Sequence, residues 1–477
     1  MGEKVHGSHY RHCHFSRFQR HLREETAALA RLFEEEGFSL RHGTAGFELE
    51  AWLVDAEGIP VPANEAFLAG MEGALVSPEL SRFNFELNTI PHPLEAGALE
   101  RFAEDLAGGW NRSRGVARTL GLDPVMIGIL PTVTEDMLAP ANMSRQDRFH
   151  ALNEQLIRLR RGRPIQLDIR GAERLCTSHL DVMTEAATTS LQIHLQLDPR
   201  RAVRYYNAAQ ILAAPLVAVS ANSPFLFGHR LWQETRIPLY EQTVAGGILG
   251  PPEEPRLQRV TFGDGYLRGS LMALFRENLE RYPVLLPVTA ESESASFFHL
   301  RLHNGTIWRW NRPLVGFDPD GTPHLRIEHR PVPAGPTVPD MVANAALFQG
   351  LMRQLAESEE PPEARLPFAT ARDNFYAAAR SGLEARVTWL DGRTGPARTL
   401  LTETLLPQAR QGLRALDCGP GETDRYLGIL RDRVRTGQTG AFWQVAHAEA
   451  HGRHFGDLVA AYRERQESGR PVHDWPP

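Results

Sequence analysis

Four short segments of the chain alternate apolar and polar residues with the period of a β-strand. In FELEAWLVD, which begins at Phe47, Glu48 and Glu50 share one face, opposite the apolar side chains of the other. Three further segments follow this design, and the four polar faces comprise Glu48, Glu50 and Trp52; Asn84, Glu86 and Asn88; Gln192, His194 and Gln196; and Arg326, Glu328 and Arg330. Strands with one apolar and one polar face favour an antiparallel sheet that packs on a core with one side only.

The polar faces of these segments draw on a narrow set of groups: carboxylates, amides, guanidinium groups and one imidazole. A solvated sheet face is the simplest interpretation of any single segment. Four such faces together are a different case, because clustered glutamates repel one another unless they share protons or bind a cation. Oxygen-rich ligands with one imidazole suit Mg²⁺ or Mn²⁺ better than Zn²⁺, and a neighbouring arginine suits a phosphate oxygen. The pattern therefore predicts a metal-nucleotide site on the concave face of an antiparallel sheet.

Composition excludes several other classes of protein. The net charge of -6 leaves no broad basic surface for a nucleic-acid backbone, and no apolar run is long enough to predict a membrane span. Three scattered cysteines form no disulfide framework, which predicts a reducing, cytoplasmic location. Lys4 is the only lysine, which excludes a P-loop lysine, a kinase lysine and an internal Schiff base.

The chain is interpreted as a single catalytic domain over residues 1–477. It divides into an N-terminal helical arm (1–40), a core sheet with the active site (41–335) and a mostly helical C-terminal part (336–477). Within it, the patterns predict a helix from Arg17, a helix pair from Ala98, a helix from Ser144 and strand-like segments from Phe297 to Arg330. An N-terminal cluster is interpreted as a locally packed arm, with a transition-metal site as the alternative; it comprises His6, His9, His12, Cys13 and His14.

In their order along the chain, five motifs resemble the glutamate-cysteine ligase family of carboxylate-amine ligases, within the glutamine synthetase-like superfamily. The motifs are GFELEAWLVD, FNFELN, TSLQIHLQ, YNAAQILAAPLVAVSANSPFLFG and LWQETRI. The resemblance spans about Phe47 to Arg330. It implies an α+β body around a curved antiparallel sheet that forms a funnel, with flanking helices, and it implies ATP and Mg²⁺ or Mn²⁺ as cofactors.

The resemblance also implies roles for individual residues. The implied metal ligands are Glu48, Glu50, Glu79, Glu86, His194 and Glu328. Glu328 and Arg330 are the implied catalytic residues, with Arg330 as the phosphate-binding arginine, and phosphate contact is the alternative role for His194. The implied substrate-binding residues are Arg236, Asn88 and Gln192, and the implied nucleotide-binding residues are Arg330 and Arg301.

The implied reaction has two steps and takes place between small molecules. ATP phosphorylates the side-chain carboxylate of glutamate, and an amine, by default that of cysteine, attacks the acyl phosphate. A different amine acceptor, a non-catalytic nucleotide-binding regulator and a metal-dependent amidohydrolase remain as alternatives, and the oligomeric state is not readable.

The segment FFHLRLHNGTIWRWNRP, read as a strand, leaves two interpretations open. It places His299, Arg301 and His303 on one face at the border of the nucleotide, and it offers Trp308 and Trp310 as base contacts. A pair of tryptophans on a strand is also typical of core packing.

Overall fold

The computed structural model describes residues 10–245, 257–288 and 297–476. Eight strands within these residues form one antiparallel sheet. The strands are β1 (Thr44–Val54), β2 (Val76–Pro78), β3 (Asn84–Asn88), β4 (His92–Pro93), β5 (Asp123–Val125), β6 (Leu191–Leu197), β7 (Asn311–Phe317) and β8 (Pro323–His329). Across the sheet the order is β7-β8-β6-β1-β3-β2, and β4 and β5 pair with the two ends of β1. The four segments with alternating patterns are thus neighbours.

Helices make up most of the remaining described chain. They are α1 (His12–Glu34), α2 (Asn64–Gly70), α3 (Ala98–Thr119), α4 (Asp147–Leu159), α5 (Ala202–Ser220), α6 (Arg236–Thr243), α7 (Met272–Arg281), α8 (Phe298–Asn304), α9 (Val338–Ala356), α10 (Pro362–Arg365), α11 (Phe368–Ser381), α12 (Ala397–Leu400), α13 (Leu406–Ala415), α14 (Pro420–Thr436), α15 (Gly440–His451) and α16 (Phe455–Glu467). Three two-stranded hairpins complete the strands, at 165–179, 225–230 and 386–396.

The apolar face of the sheet packs on helices, and the polar face points toward a cavity. Phe47 of β1 contacts Phe102 of α3, with ring centroids 4.6 Å apart, and His329 of β8 stacks on Phe348 of α9 at 4.5 Å. Helix α5 is predominantly apolar and almost entirely buried, as expected of a helix surrounded by core. Among the described residues, none of the helices combines the length and apolar character that crossing a bilayer requires.

Helices α9 and α13 approach each other closely at two glycines. A β-carbon added to Gly412 would overlap the carbonyl oxygen of Gly350, and one added to Gly350 would overlap the backbone of Ala409. Both glycines are therefore required by the short distance between the helix backbones. Because Phe348 of α9 stacks on His329 of β8, this contact supports the layer on which that end of the sheet rests.

Two predictions about local structure are confirmed, one is wrong and one is correct in part, since the range from Phe297 to Arg330 contains the strands β7 and β8 but begins with a helix. The helices from Arg17 and Ser144 are present as α1 and α4. The segment from Ala98 is one continuous helix, α3, and not a helix pair: its glycines at 108 and 109 weaken the helix by about 1 kcal/mol each, which burial of Leu106 and Trp110 outweighs. The segment from Phe297 begins with the short helix α8, because alternation over so few residues does not distinguish helix from strand.

Substitution by alanine is expected to have opposite effects at a glycine in the close helix contact and at an exposed glycine. Gly412→Ala is expected to lower the free energy of unfolding by about 1–3 kcal/mol, because the helices must separate. Gly108→Ala, exposed in α3 with no neighbour within 4 Å of the added carbon, is expected to raise it by up to about 1 kcal/mol. Urea unfolding followed by circular dichroism measures both, and equal midpoints for the two variants would contradict the close contact.

Candidate active site

Strand register brings the polar side chains of four strands together on one face of the sheet. Glu50 of β1 lies opposite Glu86 of β3, and Glu48 lies opposite Gln192 of β6. His194 of β6 lies opposite Glu328 of β8. Directly opposed residues of antiparallel strands project to the same side, so these side chains face one space.

That space is a cavity of about 290 Å³. Its wall contains all six predicted metal ligands together with Gln192, Arg301 and Arg330. A chain with alternating strands thus places a set of charged groups inside a partly enclosed volume, which is unfavourable unless the charges are compensated.

The first cluster joins Glu48, His194 and Glu328, whose ligand atoms all lie within 4.8 Å of one another. His194 Nε2 is 3.3 Å from Glu48 Oε1 and 3.8 Å from Glu328 Oε1. Within the described chain, neither ring nitrogen of His194 has a hydrogen-bond partner of good geometry, although the side chain is buried. Burial by itself would raise the pKa of Glu48, but the adjacent His194 outweighs it and lowers that pKa to about 2.

The second cluster joins Glu50, Glu79 and Glu86, with the same 4.8 Å limit between ligand atoms. It contains no basic member. Burial, opposed by the charge of Arg330, raises the pKa of Glu50 to about 7. Burial and the charges of Glu86 and Glu50 raise the pKa of Glu79 well above its usual range. Three carboxylates held this close favour a bound proton or a cation.

Arg330 lies between the two clusters, just after the end of β8. Its Nη1 is 3.3 Å from Glu328 and donates a hydrogen bond to the side-chain oxygen of Gln192. Gln192 in turn donates to Glu50 Oε1 at 2.8 Å. Burial alone would lower the pKa of Arg330, but the nearby carboxylates, Glu328 first, raise it above its usual range. The guanidinium is therefore a fixed positive charge that contacts the first cluster directly and is connected to the second through Gln192.

The β7–β8 side of the cavity is cationic. Arg312 of β7 donates two hydrogen bonds to Glu328, at 2.5 and 2.8 Å. Burial by itself would raise the pKa of Glu328, but Arg312 and Arg330 lower it. Arg301 and Arg326 line the same side, and Trp308 provides an aromatic surface there. This end can receive an anion with several oxygens beside an aromatic ring.

Two predicted substrate-binding residues contact residues of the cavity wall or their neighbours, and their substrate-binding role stays a prediction. Arg236 and Asn88 are not among the described residues that line the cavity. Arg236 is 2% exposed, donating from Nε to Glu234 at 2.8 Å and from Nη2 to the carbonyl of Pro331 at 2.6 Å, next to Arg330. Asn88 donates to Glu86 Oε1 at 2.9 Å. Asn88 thus holds a residue of the cavity wall in place, and Arg236 holds the backbone next to another.

The predicted face of His299, Arg301 and His303 is not formed, because these residues lie on a helix. His299 bonds Glu25 of α1 at 2.6 Å, and His303 Nε2 donates a hydrogen bond to the carbonyl of Asn278 at 2.9 Å. Of the three, Arg301 lines the cavity.

The two tryptophans of this segment separate in role, and part of the N-terminal cluster lies outside the described residues. Trp308 lines the cavity, whereas Trp310 is 1% exposed and packs in the core, where it donates to Glu241 at 2.8 Å. His6 and His9 are outside the described residues. His12, Cys13 and His14 lie at the start of α1, and none belongs to a cluster of potential metal ligands in the described chain.

Sequence patterns missed several residues of the cavity wall. Arg148, Glu185, Tyr240 and Arg312 all line it. They come from α4, a turn, α6 and β7, and none of them repeats with the period that revealed the acidic strands. Arg312 lies directly opposite Glu328 in the β7–β8 pairing, so a predicted pairing of these two strands would have identified it.

The two clusters fit magnesium or manganese in their chemistry. Five of their six donors are carboxylates, and the remaining one is an imidazole without a hydrogen-bond partner in the described chain. Hard oxygen ligands favour Mg²⁺ and Mn²⁺, whereas a catalytic zinc site usually has more nitrogen or sulfur ligands.

The model of glutamate-cysteine ligase family 2 matches residues 44–464. No curated protein matches the chain. Among solved structures, the glutamate-cysteine ligase of Francisella tularensis in complex with AMP aligns with 12% identity and a TM-score of 0.52, over 92% of this chain and 91% of that one. A bifunctional glutathione synthetase from Pasteurella multocida aligns with 14% identity and a TM-score of 0.47, over 94% of this chain and 55% of that one.

The alignment with the Francisella tularensis ligase shows the fold. It confirms the predicted α+β body, with a curved antiparallel sheet and flanking helices, as the fold that this chain shares with a glutamate-cysteine ligase. The family match extends over the strands that carry both carboxylate clusters. With residues 44–464 matched, the chain belongs to glutamate-cysteine ligase family 2, a family of carboxylate-amine ligases.

Proposed function

We propose that this ligase uses ATP to join the side-chain carboxylate of a glutamate-like donor to an amine, with cysteine as the default acceptor. The observation that carries the proposal is the arrangement of two carboxylate clusters on either side of Arg330 in one cavity. Such a site meets the requirement of phosphoryl transfer, which is charge compensation and positioning more than covalent chemistry by the protein.

Each cluster is proposed to hold Mg²⁺, or Mn²⁺ in its place. Glu48, His194 and Glu328 hold one ion, and the Glu50, Glu79 and Glu86 cluster holds the other. When bound, the ions neutralise phosphate oxygens and orient the donor carboxylate. The raised pKa values of Glu79 and Glu86, caused first by burial and then by neighbouring carboxylates, support this assignment, because a cation relieves the repulsion.

The protein's own groups act mainly by electrostatics. Arg330 is proposed to stabilise the charge on the phosphoryl oxygens during transfer, since its charge is fixed and its neighbours Glu328 and Gln192 restrain its position. Arg301 and Arg326 are proposed to bind the remaining phosphates, and Trp308 the adenine ring.

The proposed reaction needs no protein nucleophile. A donor carboxylate oxygen attacks the γ-phosphorus, and the bond to the bridging oxygen of ADP breaks. The amine nitrogen then attacks the acyl carbon, the carbon-oxygen bond to phosphate breaks, and the amine loses a proton. The products are an amide, ADP and inorganic phosphate.

The direct test of this function is ADP release by the purified protein with Mg²⁺, ATP and L-glutamate, with and without L-cysteine. We expect ADP to form with both substrates and mass spectrometry to detect γ-glutamylcysteine. Turnover with another amine but not with cysteine would replace the acceptor and keep the reaction. Hydrolysis of the amide product without any ATP requirement would contradict the ligase and favour an amidohydrolase.

Removing one carboxylate from the cationic side of the site should strongly reduce turnover without unfolding the protein. Glu328→Gln removes a metal ligand and a partner of Arg330 and Arg312, so we expect kcat to fall at least about 100-fold. Glu384→Gln is the matched control, since Glu384 is exposed and pairs with Arg398 on the surface. Steady-state kinetics with circular dichroism measures both, and a fully active Glu328→Gln enzyme would rule out the proposed role.

Metal stoichiometry tests the two clusters separately. Titration with Mn²⁺ followed by electron paramagnetic resonance should give two sites in the unaltered protein. Glu328→Gln should retain the site of the second cluster, and Glu86→Gln should retain that of the first. One site that both substitutions remove together would show that the clusters hold a single ion.

A further inference from the structure

The cavity differs between its two sides. Arg326 and Glu328 lie on β8, near one edge of the sheet, whereas β3 and β2 form the other edge. The arginine-rich side therefore lies along β7 and β8. The side along β3 and β2 is closed by helix α4 and by the 3₁₀ turn Met183–Ala187.

Arg148, in the first turn of α4, is the guanidinium on this second side. It lines the cavity, and its Nη2 donates to the carbonyl of Pro78 at the end of β2, 3.3 Å away. Its Nε is buried and has no hydrogen-bond partner in the described chain. Its guanidinium carbon lies 4.4 Å from the ring centroid of Phe149, which holds the group against an apolar surface.

Glu185, in the turn that precedes β6, is a carboxylate that belongs to neither cluster. It lines the cavity, and no hydrogen bond or ion pair of its carboxylate occurs among the residues that the structure describes. The turn is fixed in place: Val182 donates its backbone N–H to Asn153 of α4 at 3.0 Å, and the Thr184 hydroxyl lies 2.8 Å from that of Thr243. Burial and the charge of Glu50 raise the pKa of Glu185 to about 8.

Within the described chain no ion pair joins Arg148 to Glu185. Phe149, Leu152 and Val182 supply apolar surface to this part of the wall, and the carboxylate of Glu79 lies within electrostatic reach of both groups. A guanidinium and a carboxyl group that face one cavity without pairing to each other are complementary to a ligand that carries both charges, because the ligand's ammonium group favours the ionised form of Glu185. An α-amino acid is such a ligand, since its ammonium and carboxylate groups share one carbon.

We propose that Glu185 binds the ammonium group, and Arg148 the α-carboxylate, of the amino-acid donor. The inference rests on the proposed function, which it deepens by naming the residues that recognise the α-ammonium and α-carboxylate groups of the donor. The acceptor is the less suitable partner for Glu185, because its amine must be neutral to attack. The donor's α-ammonium takes no part in the reaction and keeps its charge.

Binding of three small ligands distinguishes the proposed contact of Glu185 from that of Arg148. L-Glutamate carries both groups, 4-aminobutyrate lacks the α-carboxylate, and glutarate lacks the ammonium. We propose to measure their binding by calorimetry to the full chain with Mg²⁺ and a non-hydrolysable ATP analogue. Glu185→Gln should weaken L-glutamate and 4-aminobutyrate about 10- to 100-fold and leave glutarate unchanged, and Arg148→Met should weaken L-glutamate and glutarate to a similar degree and leave 4-aminobutyrate unchanged.

Matched controls come from a surface pair beside the same helix. Arg145→Met and Glu65→Gln remove the partners of an ion pair whose side chains are 73% and 44% exposed, and they should leave all three affinities unchanged. Because Glu185 is in neither cluster, Glu185→Gln should also retain both Mn²⁺ sites, which a misfolded variant would not.

The results also separate this inference from the proposed function. Ligand-independent losses in Glu185→Gln and Arg148→Met, or affinities equal to those of the unaltered protein, would overturn the inference. ADP release in the same samples tests the function. Amide formation from a donor that lacks an amino group, with no binding of L-glutamate, would overturn the inference and retain the ligase. Selective L-glutamate binding without any turnover would support the inference and remove the function.

Discussion

Electrostatic repulsion among buried carboxylates is the constraint on which the rest of the structure depends. Glu50, Glu79 and Glu86 face one another without a basic member in their cluster, and a buried charge without compensation is among the least favourable features a fold can carry. The sheet nevertheless presents these groups to one cavity. The strands therefore position side chains for a ligand, and the free energy of folding must come from elsewhere.

That free energy comes from the opposite side of the sheet. Phe47 packs on α3, β8 rests on α9, and α9 meets α13 at the paired glycines Gly350 and Gly412. An apolar layer of this kind holds strand register firmly, because a slip of one residue would bury every carboxylate and expose every apolar side chain. Rigid register in turn keeps Arg330 in contact with Glu328 and Gln192. Preorganised charges of this kind are what phosphoryl transfer requires of a protein.

Alternation in the sequence was sufficient to predict the acidic face, since period two assigns each residue of a strand to one side. It identified Glu48, Glu50, Glu86, His194 and Glu328, and the paired strands bring them together. Glu79 follows β2 outside any alternating pattern, and it was expected only from the family resemblance.

Other parts of the site were beyond such patterns. Arg148 and Glu185 come from a helix and a turn, whose distance from the sheet is decided by tertiary packing. Arg236 was expected to bind substrate, and the sequence gives no sign that the neighbouring Glu234 and the Pro331 carbonyl engage its guanidinium. The short helix α8 was mistaken for a strand because seven residues carry too little periodicity.

The most direct measurement of the central claim is a crystal structure of the protein with Mn²⁺ and a non-hydrolysable ATP analogue, recorded at the manganese absorption edge. We expect two anomalous peaks in the cavity, one held by Glu48, His194 and Glu328 and the other by Glu50, Glu79 and Glu86, with the γ-phosphate beside Arg330. Manganese absent from both clusters, or a nucleotide bound outside the cavity, would contradict it.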